Sequence, residues 1–171
     1  MARLKASVGV ALSAVALLAL PACSKKAAED DAATTTTNTA TSTTTSTTAA
    51  ATAPAATDTA TLDGTKLASF TGTAAAGETV FVTCKTCHSS EAGKNMIGPS
   101  LHAIVGRHSG EAPGYTYSAA NKGSGIVWTE DKLFQYLENP QRIVPGTKMT
   151  YPGVKDPQKR ADLIAYLKTL S

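Results

Sequence analysis

The segment Cys84-Lys85-Thr86-Cys87-His88 concentrates more reactive side chains than any other part of this chain. Two thiols three positions apart lie about one helical turn from each other, with an imidazole on the adjoining face. That arrangement suits two thioether bonds to the vinyl edges of a porphyrin, with the imidazole beneath its iron. Other chemistries fit poorly. The chain has three cysteines, and the third, Cys23, is remote, so a structural zinc site would lack two ligands. His102 and His108 do not have zinc-finger spacing. A thioredoxin-type redox pair belongs in a βαβ context that the sequence does not suggest. A disulfide across two intervening residues is strained.

Helices must hold this segment, and the chain marks two of them clearly. Asp156-Pro157 is an N-cap followed by proline at the first helical position, and Leu163, Leu167 and Leu170 then recur at helical spacing. A second helix is expected over residues 130–138, with Thr129 as its cap. Glu130 and Asp131 complement its positive end, and Pro140 limits its extension. Gly77 and Phe81, four positions apart, would share one face of a helix, and Gly- and Pro-rich loops fill the rest.

Composition divides the 171 residues into three parts. Residues 1–23 begin with Arg3 and Lys5 ahead of an apolar stretch over 6–22, marginal for spanning a bilayer but suited to export. The stretch ends Leu20-Pro21-Ala22-Cys23, which resembles a bacterial lipobox and makes Cys23 the expected lipidation site. An uncleaved anchor and an ordinary cleaved signal remain alternatives, and all three place the domain outside the cytoplasm. Residues 24–65 are rich in Thr and Ala, carry no aromatic residue, and are expected to be a disordered tether. Its coil reach is about 35–40 Å. A plain spacer or a glycosylated stalk are alternative readings. Residues 66–171 are expected to form one globular domain. The net charge of +3, without a basic run, argues against nucleic acid as a partner.

Residues 77–170 resemble a class I c-type cytochrome, of the mitochondrial and bacterial membrane-attached kind. The resemblance is carried by Gly77-Glu78-Thr79-Val80-Phe81, the cysteine segment, Gly98-Pro99-Ser100-Leu101-His102 and Gly106-Arg107. It continues through Ala112-Pro113-Gly114-Tyr115-Thr116-Tyr117, Trp128, Tyr136-Leu137-Glu138-Asn139-Pro140, Pro145-Gly146-Thr147-Lys148-Met149, and Asp162-Leu163-Ile164-Ala165-Tyr166-Leu167. It implies a small all-α fold in which the helix over 75–85 crosses one over 157–170, with loops wrapping one haem c held covalently by Cys84 and Cys87. It implies His88 and Met149 as the axial ligands of the iron. A soft thioether favours ferrous iron and raises the reduction potential.

The same resemblance implies roles for residues around the haem. The Pro99 carbonyl should accept from the His88 ring. Arg107, Tyr117 and Trp128 match positions that hold a buried propionate. Asn121, Tyr136 and Thr147 match the polar network beside the methionine. His102 is expected in a loop hydrogen bond, His108 toward solvent, and Met96 as a surface or packing residue. Lys85, Arg142, Lys148 and Lys155 are placed to supply a docking face, thinned by Thr83, Gln141 and Asp156 where mitochondrial relatives carry lysine.

The function implied is a monomeric shuttle of single electrons, not an enzyme, between a cytochrome bc-type complex and a terminal oxidase at the periplasmic face of a bacterial membrane. A haem subunit of a periplasmic dehydrogenase or peroxidase is the alternative, and a gas-sensing haem protein is a third class. Met149 argues against open-site chemistry because it would close the iron.

Overall fold

A computed structural model describes residues 52–171. The expected export signal, Cys23 and most of the tether lie outside the described residues. The described part is helical, with no strand and a single antiparallel bridge between His108 and Val127. Five helices follow in order: α1 (Ala74–Phe81), α2 (Ala119–Lys122), α3 (Glu130–Glu138), α4 (Pro140–Ile143) and α5 (Pro157–Lys168).

The main pairing is α1 against α5, and α3 also packs on α5. Gly77 makes the crossing possible: a methyl there would overlap the Asp162 carbonyl and crowd the Tyr166 Cβ. One turn on, Phe81 is fully buried, with its ring 5.0 Å from that of Tyr166. The Asp162 carboxylate accepts from the Thr73 amide at 2.8 Å, tying the start of α1 to α5. The buried core gathers Phe81, Trp128, Leu133, Phe134, Leu163, Ile164 and Leu167 from α1, α3, α5 and the loop before α3.

The helix starts follow local chemistry. The Thr129 hydroxyl accepts from the Lys132 amide at 3.2 Å, and the Asp156 carboxylate accepts from the amides of Gln158 and Lys159 at 2.9 and 3.2 Å. Both are side-chain caps that satisfy otherwise unpaired helical N–H groups.

Two expectations need correction. The first helix does not run to residue 85. It stops at Phe81 and resumes as a tighter 3₁₀ turn over Cys84–Thr86. Val80, Val82 and Thr83 are β-branched there, and the Thr83 hydroxyl donates to the Val80 carbonyl at 2.9 Å, in competition with the helical ladder. Helix α3 ends at Glu138, as expected, and Asn139 then caps a new short helix, α4, with Pro140 at its first position.

The second correction concerns the domain boundary near Lys66. The last part of the expected tether is folded onto the domain. The Lys132 ammonium donates to the carbonyls of Ala55 and Asp58 at 3.1 and 2.7 Å. Leu62 and Asp63 amides donate to the Glu138 carboxylate at 2.6 and 3.0 Å. Residues this polar fold down because helices α3 and α5 supply the partners that the segment itself lacks.

Candidate functional site

The helix crossing, the loops of residues 87–118 and the inner face of α3 enclose a cavity of about 340 Å³ with a mainly apolar lining. That size is within the range of sites for medium-sized organic cofactors. Cys84, Cys87, His88, Tyr136, Thr147 and Met149 all line it.

The attachment segment is shaped by its backbone. The His88 amide donates to the Cys84 carbonyl at 2.9 Å, and the Cys87 amide to the same oxygen at 3.1 Å. This compact turn leaves both thiols free and half-buried. Burial, and then the nearby Cys87, push the Cys84 thiol up to about 11, so it is held protonated at neutral pH.

The His88 ring is fixed from behind. Its Nδ1 lies 2.7 Å from the Pro99 carbonyl. A carbonyl only accepts, so Nδ1 carries the proton and Nε2 keeps its lone pair. Burial pushes the imidazole pKa down, opposed by the bond to Pro99, so the ring is neutral and able to ligate. Gly98 is required next to it, because any Cβ there would collide with Cε1 of the ring.

The Tyr136 hydroxyl donates to the Met149 sulfur at 3.3 Å. Burial, offset in part by a hydrogen bond with Thr147, pushes the Tyr136 phenol up to about 12. Trp128 stacks obliquely on Tyr136 with centroids 4.6 Å apart. The Thr147 hydroxyl accepts from the Met149 amide at 3.2 Å. Asn121 is held by Ser118 at 3.0 Å.

Arg107 lines the cavity and donates to the Ser100 and His102 carbonyls at 2.9 and 3.2 Å. Its Nε is buried with no partner. An orphaned cationic donor in an apolar pocket suits an anionic group of the ligand. Tyr117 also lines the cavity.

The structure therefore brings eleven expected haem-site residues together: Cys84, Cys87, His88, Pro99, Arg107, Tyr117, Asn121, Trp128, Tyr136, Thr147 and Met149 all line one cavity. The docking residues divide. Lys148 lines the cavity and Lys85 lies 5.8 Å over the Phe81 ring beside Cys84. Lys148 also donates to the Thr116 carbonyl at 2.7 Å, and Arg142 and Lys155, away from the cavity lining, donate to the carbonyls of Ala60 and Glu138. His102 is tied through its backbone, His108 is exposed, and Met96 is 46% exposed.

Sequence reasoning missed Gly98, whose role appears only once the His88 ring is seen against its backbone. Tyr115 was missed too. It lines the cavity, and its hydroxyl donates to the Ile97 carbonyl at 2.8 Å. Its place in the Tyr115-Thr116-Tyr117 motif was the available signal.

Two thiols, a neutral imidazole, a thioether and an unpaired arginine donor around one apolar cavity define a covalent-haem electron-transfer domain. A family model described as Cytochrome c matches residues 74–171. Cytochrome c2 of Rhodopila globiformis is 67% identical over 87 residues, covering 51% of this chain and 82% of that protein. Cytochrome c2 of Blastochloris viridis is 54% identical over 96 residues, covering 56% and 76%. Among solved structures, cytochrome cH from Methylobacterium extorquens is 52% identical, with a TM-score of 0.55. That match covers 57% of this chain and 99% of the other. The chain belongs to the cytochrome c family, and carries one covalently attached haem c as a monohaem electron carrier.

Proposed function

We propose that the protein carries single electrons from a cytochrome bc-type complex to a terminal oxidase at the periplasmic face of a bacterial membrane, held there by a lipid on Cys23. The observation that carries the shuttle reading is that His88 and Met149 line the same cavity. His88 and Met149 would together hold the iron of a bound haem and leave it no open position, which would suit the group to electron transfer and not to substrate binding.

The cavity mouth supports contact with a protein partner. Ile97 lines it and is 77% exposed, and Lys148 adds positive charge there. A small apolar contact with a thin basic rim gives modest long-range steering. Tethering compensates by keeping the domain near its partners at high effective concentration.

The test is a spectrum of the reduced, haem-loaded protein with and without carbon monoxide. A low-spin spectrum unchanged by the gas is expected. Rapid gas binding at neutral pH would instead support a peroxidase-like or sensing role. For the anchor, mass analysis of the mature N-terminus should find diacylglycerol on Cys23; an unmodified or removed Cys23 rules the lipid out.

A further inference from the structure

Residues 55–65 lie along α3 as a strap, upstream of the family match, and their contacts are with charged groups buried in the domain. Arg160 is fully buried and Glu138 is 2% exposed. The Asp63 carboxylate pairs with Arg160 Nη2 at 2.7 Å, and the Thr65 hydroxyl accepts from the same nitrogen at 3.0 Å. Glu138 stands 3.9 Å from the other guanidinium nitrogen. Two strap amides close on the Glu138 carboxylate.

These groups reach the redox site by two routes. Arg160 Nη1 donates to the carbonyls of Val154 and Lys155, both at 3.1 Å. Those carbonyls sit in the loop between α4 and α5 that also carries Met149. Glu138 ends α3, whose other face carries Tyr136 and its bond to the Met149 sulfur. Val154 also donates to the Leu137 carbonyl at 2.7 Å, joining loop to helix.

We propose that the strap is a positioning element of the redox site, holding in place the loop and helix that present Met149. The inference rests on the reading of Met149 as axial ligand. Without the strap, Arg160 keeps the more distant Glu138 as its one carboxylate, beside the Val154 and Lys155 carbonyls, and Glu138 loses two amide donors. Buried charges left short of partners draw in water or re-pair. Here that movement falls on Val154, Lys155 and the end of α3. Met149 would then be held toward a bound haem less firmly than His88, whose ring is fixed by Pro99 and Gly98.

The test uses the full-length, haem-loaded chain in three forms: the parent, a chain with residues 55–65 replaced by a Gly-Ser sequence of equal length, and Asp63→Asn. Two quantities are read: the alkaline pH at which the sulfur-to-iron charge-transfer band is lost, and the thermal midpoint. The replaced chain should lose the band about one pH unit earlier, a roughly tenfold larger ligand-off population at a given pH. Asp63→Asn should shift in the same direction by less. If both variants melt earlier but keep the parent's band midpoint, the strap supports the fold alone and the inference is overturned. If the replaced chain does not fold, Asp63→Asn decides, and an unchanged midpoint overturns it. A parent without the band would instead refute the Met149 reading and the inference with it.

Discussion

Replacing Tyr136 with phenylalanine should lower the haem midpoint potential by about 20–60 mV. The phenol is 8% exposed and donates to the Met149 sulfur at 3.3 Å. That bond draws electron density from the sulfur. Ferric iron needs the density more than ferrous iron does, so the hydrogen bond favours the reduced state. A neutral hydrogen bond has a net worth of about 0.5–1.5 kcal/mol. For a one-electron couple roughly 1.4 kcal/mol corresponds to about 59 mV, which sets the range if the whole effect separates the two oxidation states. Burial, partly countered by Thr147, holds the phenol pKa at about 12, so the donor stays protonated and the shift should be constant from neutral to mildly alkaline pH. The assay is a spectroelectrochemical titration of the haem-loaded parent and variant at one ionic strength. Tyr115→Phe, whose hydroxyl bonds the Ile97 carbonyl instead, should move the potential far less. An unchanged or raised potential in Tyr136→Phe would refute the assignment of that hydrogen bond as a tuning contact.

Other outcomes test the architecture. Gly98→Ala places a methyl against the His88 ring; the haem-loaded protein should lose its low-spin spectrum or fail to mature, and a normal spectrum would contradict the close approach of ring and backbone. Gly77→Ala overlaps the Asp162 carbonyl and should cost about 1–3 kcal/mol in denaturant unfolding, whereas the exposed Gly93→Ala control tests only backbone conformation. The Asp63 pKa lies below its ordinary range, because hydrogen bonds from Thr65 and Arg160 outweigh the opposing effect of burial. Its contribution to stability should therefore be complete above the unfolded value of about 3.9 and fade as pH falls toward the folded one. In thermal scans across the acid range, the gap between parent and Asp63→Asn should close as pH falls; a gap that widens would reverse the sign.

Much of the site was legible because its chemistry is local. The spacing of Cys84, Cys87 and His88 sets two thiols and an imidazole on one turn whatever surrounds them. Thr129 and Asp156-Pro157 mark helix starts by side-chain bonds to amides two or three residues away, and the structure keeps both. The end of α1 was harder to read, since β-branched residues and the Thr83 hydroxyl compete with the helix only slightly.

Long-range pairing decided the rest. Lys132, Gln135 and Glu138 look like the solvated face of α3, yet each is 2% exposed or less, because a strap more than seventy residues upstream covers them. Nothing in the Ala- and Thr-rich run shows this, since an extended segment held by its own backbone groups needs no apolar periodicity. Gly98 is similar: its lack of a side chain matters only because the His88 ring comes to rest against it. By itself the sequence determined the chemistry of attachment and the starts of two helices, which depend on neighbours in the chain. Only the tertiary structure decided which charges are buried and where the domain begins, because partners for those groups come from distant segments.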